Sequence, residues 1–262
     1  MRTVRFINEG GVSCFGTNLD GGHADVIENG EIKGSGRNIK ISTFLPPIEP
    51  SAIICIGLNY SAHAKETGMD TPECPVVFMK NPAAVTGHKQ DIILPVSCRD
   101  PLQVDYEVEL GVVIGKNAKN VSEEDALDYV AGYTIANDVS ARVWQKKGGG
   151  GQWIRGKSFD TFCPIGPEIV MSDEIGDPDN LALKTVLNGK VMQESNTSDM
   201  IFSVKKLIAF LSEDTTLLPG TLILTGTPEG VGFTRDPAVY LKPGDRIEMT
   251  IEKIGTLVNN VV

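Results

Sequence analysis

The apolar residues of this chain come in short runs, punctuated by 28 Gly and 15 Pro. Such runs, closed by turn formers within a few positions, favour a β-rich fold with many turns over a helical bundle. Residues 52–56 (Ala52, Ile53, Ile54, Cys55, Ile56) are one example, ended by Gly57. Thr221 to Leu224 is another, leading into Gly226, Pro228, Gly230 and Gly232. At 262 residues the chain can build one large core, or a main domain with a small appendage.

Charge and cysteine usage narrow the partners. Thirty-four acidic residues against 24 basic ones give a formal charge of −10. Binding to a phosphate backbone is driven by clustered Lys and Arg, so no nucleic-acid partner is expected. Cys14, Cys55, Cys74, Cys98 and Cys163 are odd in number, and no two form a Cys-x-x-Cys pair. Neither a disulfide framework nor a zinc knuckle is expected, and a reducing compartment is the natural setting. No stretch approaches the roughly 18 apolar residues of a membrane span, and residues 1–11 hold no apolar signal core. The expectation is a cytoplasmic protein without a membrane partner, although a bacterial cytosol and an organelle matrix look alike at this level.

Residues 1–47 hold short strand-like pieces broken by Gly10 and Gly11, Gly21 and Gly22, and Gly34 and Gly36, before Pro46 and Pro47 end them. They are expected to form a small N-terminal β unit, with residues 48–262 as the main domain. There a buried strand near 51–57 delivers the chain to a short helix with His63 and Glu66 three apart, on one face. Strands are expected over 107–114, 133–136, 183–187, 221–224 and 246–251, with helices opening at Ser122 and spanning 203–212. Asn188 and Gly189 read as a type I′ hairpin turn, and Gly148 to Gly151 as a mobile loop.

Side chains alternate along a strand, so Glu107 and Glu109 share one face while Tyr106, Val108 and Leu110 take the other. Alone, two such acids also fit the solvated face of an edge strand. Asp138, ending a second strand, adds a third carboxylate. An oxygen-only set of three selects a hard cation over zinc: Mg²⁺ by default, with Mn²⁺ or Ca²⁺ as alternatives. Glu66 is spaced to orient the His63 imidazole and raise its basicity, giving a general base. Gly151 to Ser158 fits the spacing of a phosphate-binding Walker loop, but the Lys and Gly residues before it and Pro164 and Pro167 after it supply neither the strand nor the helix such a loop needs. Lys157 within it remains a cation for an anionic substrate. The Thr225 to Gly232 loop offers hydroxyls and backbone N–H groups to a carboxylate or enolate oxygen.

Over most of 51–262 the chain resembles the fumarylacetoacetate hydrolase (FAH) family. The matching stretches are Gly57 to Tyr60 with His63 and Glu66, Phe78 to Lys80, Tyr106 to Gly111, Asn137 to Arg142, Gly156 to Asp160, and Leu224 to Pro228. Gln152 to Pro164 and Gln193 to Thr197 resemble the FAH-domain-containing protein 2 type, whose members are associated with oxaloacetate keto–enol tautomerisation. The resemblance implies a β-rich α+β fold built on a mixed β-sheet roll with short helices, and a homodimer. It implies Mg²⁺ or Mn²⁺ at Glu107, Glu109 and Asp138, and His63 with Glu66 as a water-activating dyad on a segment able to order as a lid. Arg142, Gln145, Thr227 and Lys157 would contact carboxylate and carbonyl oxygens of a 2-oxo or 2,4-dioxo acid.

The expected function is metal-dependent hydrolysis of a C–C bond in a 2,4-dioxo acid of the acylpyruvate or fumarylpyruvate type, through an enolate held at the cation. Oxaloacetate keto–enol tautomerisation or decarboxylation at the same site is the alternative. A non-catalytic metal-dependent binding protein is an alternative of another class, against which the dyad speaks, since binding alone needs no water-activating pair.

Overall fold

A computed structural model of the chain describes residues 1–28 and 35–262. Gly34, one side of the expected break at Gly34 and Gly36, lies outside the described residues. Among those described, strands carry the fold and the longest helix is Val204–Ser212, giving the expected β-rich α+β architecture.

The larger sheet has eleven strands, with Val108–Ile114 in its interior between Val130–Asn137 and Thr221–Leu224. Both those pairings are antiparallel, whereas Thr221–Leu224 runs parallel to Ala52–Gly57, so the sheet is mixed. A five-stranded sheet is formed by Lys190–Asn196, Ala182–Leu187, Arg246–Ile251, Gly255–Val261 and Asp91–Ile92. The main core joins the two, since Tyr133 and Ile135 of one sheet and Met249 and Leu257 of the other belong to one buried cluster. Strands Arg2–Asn8, Ser13–Asp20, His23–Val26 and Asn38–Leu45 have a small core of their own, centred on Phe6, Ala24 and Phe44. Arg2–Asn8 ties them to the large sheet through Cys163–Met171.

Local sequence explains most of these elements. In Arg246–Ile251 the buried residues are Ile247, Met249 and Ile251, the alternation of a half-buried strand. Val108–Ile114, which begins one residue after Glu107, is buried along its whole length with Glu109 in it, and Glu107 is buried as well, which removes the edge-strand reading of the two acids. Helix Val204–Ser212 buries Val204, Leu207, Ile208 and Leu211, each worth roughly 1.5–3 kcal/mol of transfer free energy, and Ser203 caps its start. Asn188 and Gly189 both have positive φ, 50° and 81°, as a type I′ turn requires.

Three expectations differ in extent. The strand expected over 133–136 begins at Val130, because Gly132 is not a breaker there: a Cβ would stand 2.5 Å from the Val170 carbonyl oxygen of the adjacent strand. The segment after Ser122 forms only a 3₁₀ turn, at Ala126–Tyr129. The glycine run is not a featureless loop but carries a 3₁₀ turn, Lys147–Gly149, followed by helix Trp153–Lys157. Gly156 and Lys157 lie inside that helix rather than ahead of one, so the Walker-like spacing cradles no phosphate.

Candidate active site

The antiparallel register Val108 opposite Asn137 brings the start of one strand to the end of its neighbour, and the Asp138 N–H donates to the Glu107 carbonyl at 2.9 Å. Glu107, Glu109 and Asp138 thereby converge: one carboxylate oxygen from each lies within 4.8 Å of the others, and all three residues are buried.

Cations surround this cluster. Lys157 Nζ donates to Glu107 Oε2 at 2.8 Å, Asp138 Oδ2 at 2.6 Å and Ser140 Oγ at 2.7 Å, which engages its three protons. Lys80 Nζ binds Asp138 Oδ1 and the Val139 carbonyl. Arg142 donates through Nε to Asp105 Oδ2 and through Nη1 to Gln145 Oε1, with Nη1 also 2.7 Å from Glu107 Oε1. Its Nη2 lies 2.8 Å from Asp105 Oδ2 without hydrogen-bonding geometry, so a buried donor stays available.

Glu109 is the exception. Its Oε2 accepts the Gly226 N–H at 2.7 Å, but among the described residues it has no ion pair. Burial, then the charges of Asp138 and Glu107, push its carboxyl well above the usual range. For Glu107, burial acts in the same direction, but Lys157 and Arg142 outweigh it and hold the carboxyl well below that range. Lys157 is the mirror case: burial disfavours its charge, and Asp138 and Glu107 more than restore it. Four buried carboxyls, counting Asp105, thus face three buried cations, and Glu109, the one without a counter-charge, can ionise only if a cation is supplied. An unpaired buried charge costs several kcal/mol, so this donor set fits a divalent cation of the oxygen-preferring class.

The dyad stands on helix Ser61–Thr67. His63 Nδ1 is 3.0 Å from Glu66 Oε2. Glu66 Oε1 accepts from the Gly230 N–H at 3.0 Å and Thr234 Oγ1 at 2.8 Å, pinning the helix to a loop from the far end of the chain. Burial would raise the Glu66 carboxyl, but the bonds from His63, Thr234 and Gly230 bring it below its ordinary value. With Nδ1 engaged, Nε2 is the ring nitrogen left for chemistry.

A cavity of about 1100 Å³ opens on these groups, and His63, Glu107, Glu109, Arg142, Gln145, Lys157 and Thr227 all line it. Glu66 and Asp138 stand behind that wall, bound to His63 and to Lys157. The remaining lining is largely apolar and includes Ile56, Val76, Phe78, Trp153, Phe233 and Tyr240. Thr227 Oγ1 accepts from Gln193 Nε2 at 2.8 Å, and its own proton has no protein acceptor among the described residues.

Sequence reasoning assigned no role to Lys80, Asp105 or Gln193. Asp105 accepts from Arg142 and from the Gly232 and Phe233 N–H groups, fixing a guanidinium and a loop together. Gln193 accepts from Val108 N and Thr185 Oγ1 and donates to Thr227 Oγ1 and the Pro228 carbonyl. Two signals were available: Lys80, a charge closing the apolar run Val76 to Met79, and Gln193, which opens a family-resembling stretch.

Comparison with known proteins agrees with this geometry. Residues 52–262 match the family described as fumarylacetoacetate (FAA) hydrolase C-terminal. A fumarylacetoacetate hydrolase domain-containing protein 2 homolog of Dictyostelium discoideum is 54% identical over 224 residues, 82% of this chain and 72% of that protein. A mitochondrial oxaloacetate tautomerase of Bos taurus is 48% identical over 221 residues, 84% of this chain and 69% of that protein. Among solved structures, a 5-carboxymethyl-2-hydroxymuconate delta-isomerase from Mycobacterium smegmatis superposes with a TM-score of 0.84 at 42% identity, covering 100% of this chain and 98% of that one. The cytoplasmic expectation is corrected by the bovine relative, which is named as mitochondrial. The cysteine argument behind it asked only for a reducing compartment, which an organelle matrix also provides. By sequence, fold and the convergence of its buried carboxylates, this chain is an enzyme of the fumarylacetoacetate hydrolase family.

Proposed function

We propose that this enzyme is a divalent-metal-dependent oxaloacetate keto–enol tautomerase, with Mg²⁺ or Mn²⁺ held by Glu107, Glu109 and Asp138. The observation that carries the reading is that the His63–Glu66 dyad and the carboxylate cluster line or back one cavity, a base and a cation site sharing a single substrate space. The identity to a named oxaloacetate tautomerase supports the choice of acid.

In this reading Arg142 and Gln145 bind the substrate carboxylate, and Thr227 donates its free proton to an oxygen. A bound divalent cation supplies Lewis-acid stabilisation of negative charge on the 2-oxo oxygen. His63 Nε2 takes the proton from C3, and the imidazolium returns a proton to the oxygen; the reverse sequence regenerates the keto form. Glu66 stabilises the imidazolium and keeps Nε2 as the working nitrogen. Lys157 tunes the cluster as its counter-charge, and meets the substrate only by releasing Glu107, Asp138 or Ser140. A homodimer belongs to the same reading, and sedimentation of the purified protein measures it.

C–C hydrolysis of an acylpyruvate is the second reading. It is favoured by the size of the cavity, far larger than a four-carbon acid fills, and by its apolar wall. Product analysis separates the two: complete turnover of an acylpyruvate with enzyme and Mg²⁺ yields pyruvate and a free acid if the enzyme is a hydrolase. The tautomerase reading expects no pyruvate from any acylpyruvate.

A further inference from the structure

The cavity has three lining cations, and two are occupied by the protein itself. Lys157 engages Glu107, Asp138 and Ser140, and Arg142 engages Asp105, Glu107 and Gln145. The third, Lys146, has no carboxylate or hydrogen-bond partner for its ammonium among the described residues; Nζ rests 3.5 Å from the centroid of the Phe233 ring.

That placement is built rather than incidental. Asp105 accepts the Phe233 N–H at 3.0 Å and holds Arg142 through the same carboxylate, so one buried acid positions both the ring and the guanidinium. The Arg142 guanidinium lies 4.4 Å from the centroid of the same ring. Lys146 N–H donates to the Arg142 carbonyl at 2.9 Å, and the Lys146 carbonyl accepts from Gly149 and Gly151 at 3.2 and 3.0 Å, anchoring the residue between a helical turn and the glycine run. A cation over an aromatic face is stabilised by the ring yet keeps its protons for an anion. Burial and then the charge of Arg142 press this ammonium below a lysine's usual range, a cost that a bound carboxylate would relieve.

We propose that Lys146 is the specificity residue for a second, distal carboxylate, so that the site prefers 2-oxo dicarboxylates to 2-oxo monocarboxylates. The inference rests on the 2-oxo acid reading above and deepens it. The 2-oxo end of the substrate pairs with Arg142, beside the cation that Glu107, Glu109 and Asp138 would hold, and the far carboxylate pairs with Lys146 beside the Phe233 ring.

Trp153 lines the cavity, so ligand binding to the Mg²⁺-loaded enzyme is readable by tryptophan fluorescence, for oxaloacetate at its keto–enol equilibrium. The probes are oxaloacetate and pyruvate, which share the 2-oxo acid end and differ in the second carboxylate. The ratio of their dissociation constants is expected to favour oxaloacetate in the wild type, to fall about two- to fivefold in Lys146→Gln, as for an exposed ion pair, and to be largely restored in Lys146→Arg. A structural role would weaken both ligands together and leave the ratio alone. A wild type with no preference for oxaloacetate, or a Lys146→Gln ratio equal to wild type, overturns the proposal. If the ratio shifts as expected while the wild type does not accelerate tautomerisation, Lys146 stands and the tautomerase reading falls.

Discussion

Thr234 donates its hydroxyl proton to Glu66 Oε1 at 2.8 Å across 168 positions of sequence, while the other oxygen of that carboxylate holds His63. The orientation of the expected base therefore depends on a loop outside its own helix. Removing the hydroxyl in Thr234→Val loses one bond of about 1 kcal/mol to a carboxylate that keeps the Gly230 N–H. The expected outcome is a three- to tenfold lower kcat with little change in KM, milder than Glu66→Gln. Steady-state kinetics of both variants check it, and a Thr234→Val enzyme slower than Glu66→Gln would contradict the chain of support.

His63 is assigned to proton transfer, and among the described residues its ring pairs with Glu66 and makes no hydrogen bond or ion pair with the three carboxylates of the cluster. His63→Ala is expected to lower kcat by roughly 10²–10⁴ while Mg²⁺ affinity changes by less than a factor of about three. Calorimetric titration with Mg²⁺ beside the rate assay separates the two roles. Full activity without the imidazole would remove His63 from the mechanism.

Lys157 supplies buried positive charge to Glu107 and Asp138 at 2.8 and 2.6 Å. Lys157→Met leaves those carboxylates short of a counter-charge, a change worth about 3–5 kcal/mol where one partner of a buried pair is lost. Metal-free Lys157→Met should unfold at markedly lower denaturant than wild type, and Mg²⁺ should restore more stability to the variant than it adds to the wild type. Equal Mg²⁺ effects on both proteins would mean that cation and lysine do not share the same charges.

His88 provides a pH dependence remote from the cluster. Burial, and then the charge of Lys89, lower its imidazole from near 6.5 to about 4, and neutral Nδ1 accepts the Val258 N–H at 3.1 Å. The folded state thus resists protonation that the unfolded chain accepts. The contribution is complete above pH 6.5 and is lost as pH falls towards 4, on the order of 3 kcal/mol across that window. Denaturant unfolding at pH 7.5 and pH 4.5 should show a smaller acid loss in His88→Gln than in wild type; identical losses would contradict the assignment.

The parts of the site carried by a single element are legible in the sequence. A period of two puts Glu107, one residue ahead of its strand, near Glu109 within it, and a helical spacing of three aligns His63 with Glu66. Their partners are not, because those contacts arise only when the chain closes. Lys80 meets Asp138 across 58 positions, and Gly230 and Thr234 meet Glu66 across 164 and 168. Gly132 shows the same limit in the fold: a glycine in an apolar run reads as a stop, and only the neighbouring strand reveals a close approach. Compartment was misread for a different reason, since a count of unpaired cysteines reports redox conditions and carries no address.

If the cavity moves the C3 proton of oxaloacetate with the help of a cation held by Glu107, Glu109 and Asp138, both the metal and the enzyme are needed for the rate. The most direct measurement is the decay of enol-oxaloacetate absorbance in the ultraviolet, comparing wild type with Mg²⁺, Mg²⁺ alone, wild type with excess chelator, and Glu109→Ala with Mg²⁺. Acceleration over Mg²⁺ alone is expected only for the wild type with metal, together with a loss of Mg²⁺ affinity by about a few kcal/mol in Glu109→Ala. Decay no faster with wild type than with Mg²⁺ alone, or undiminished acceleration by Glu109→Ala, would contradict this reading.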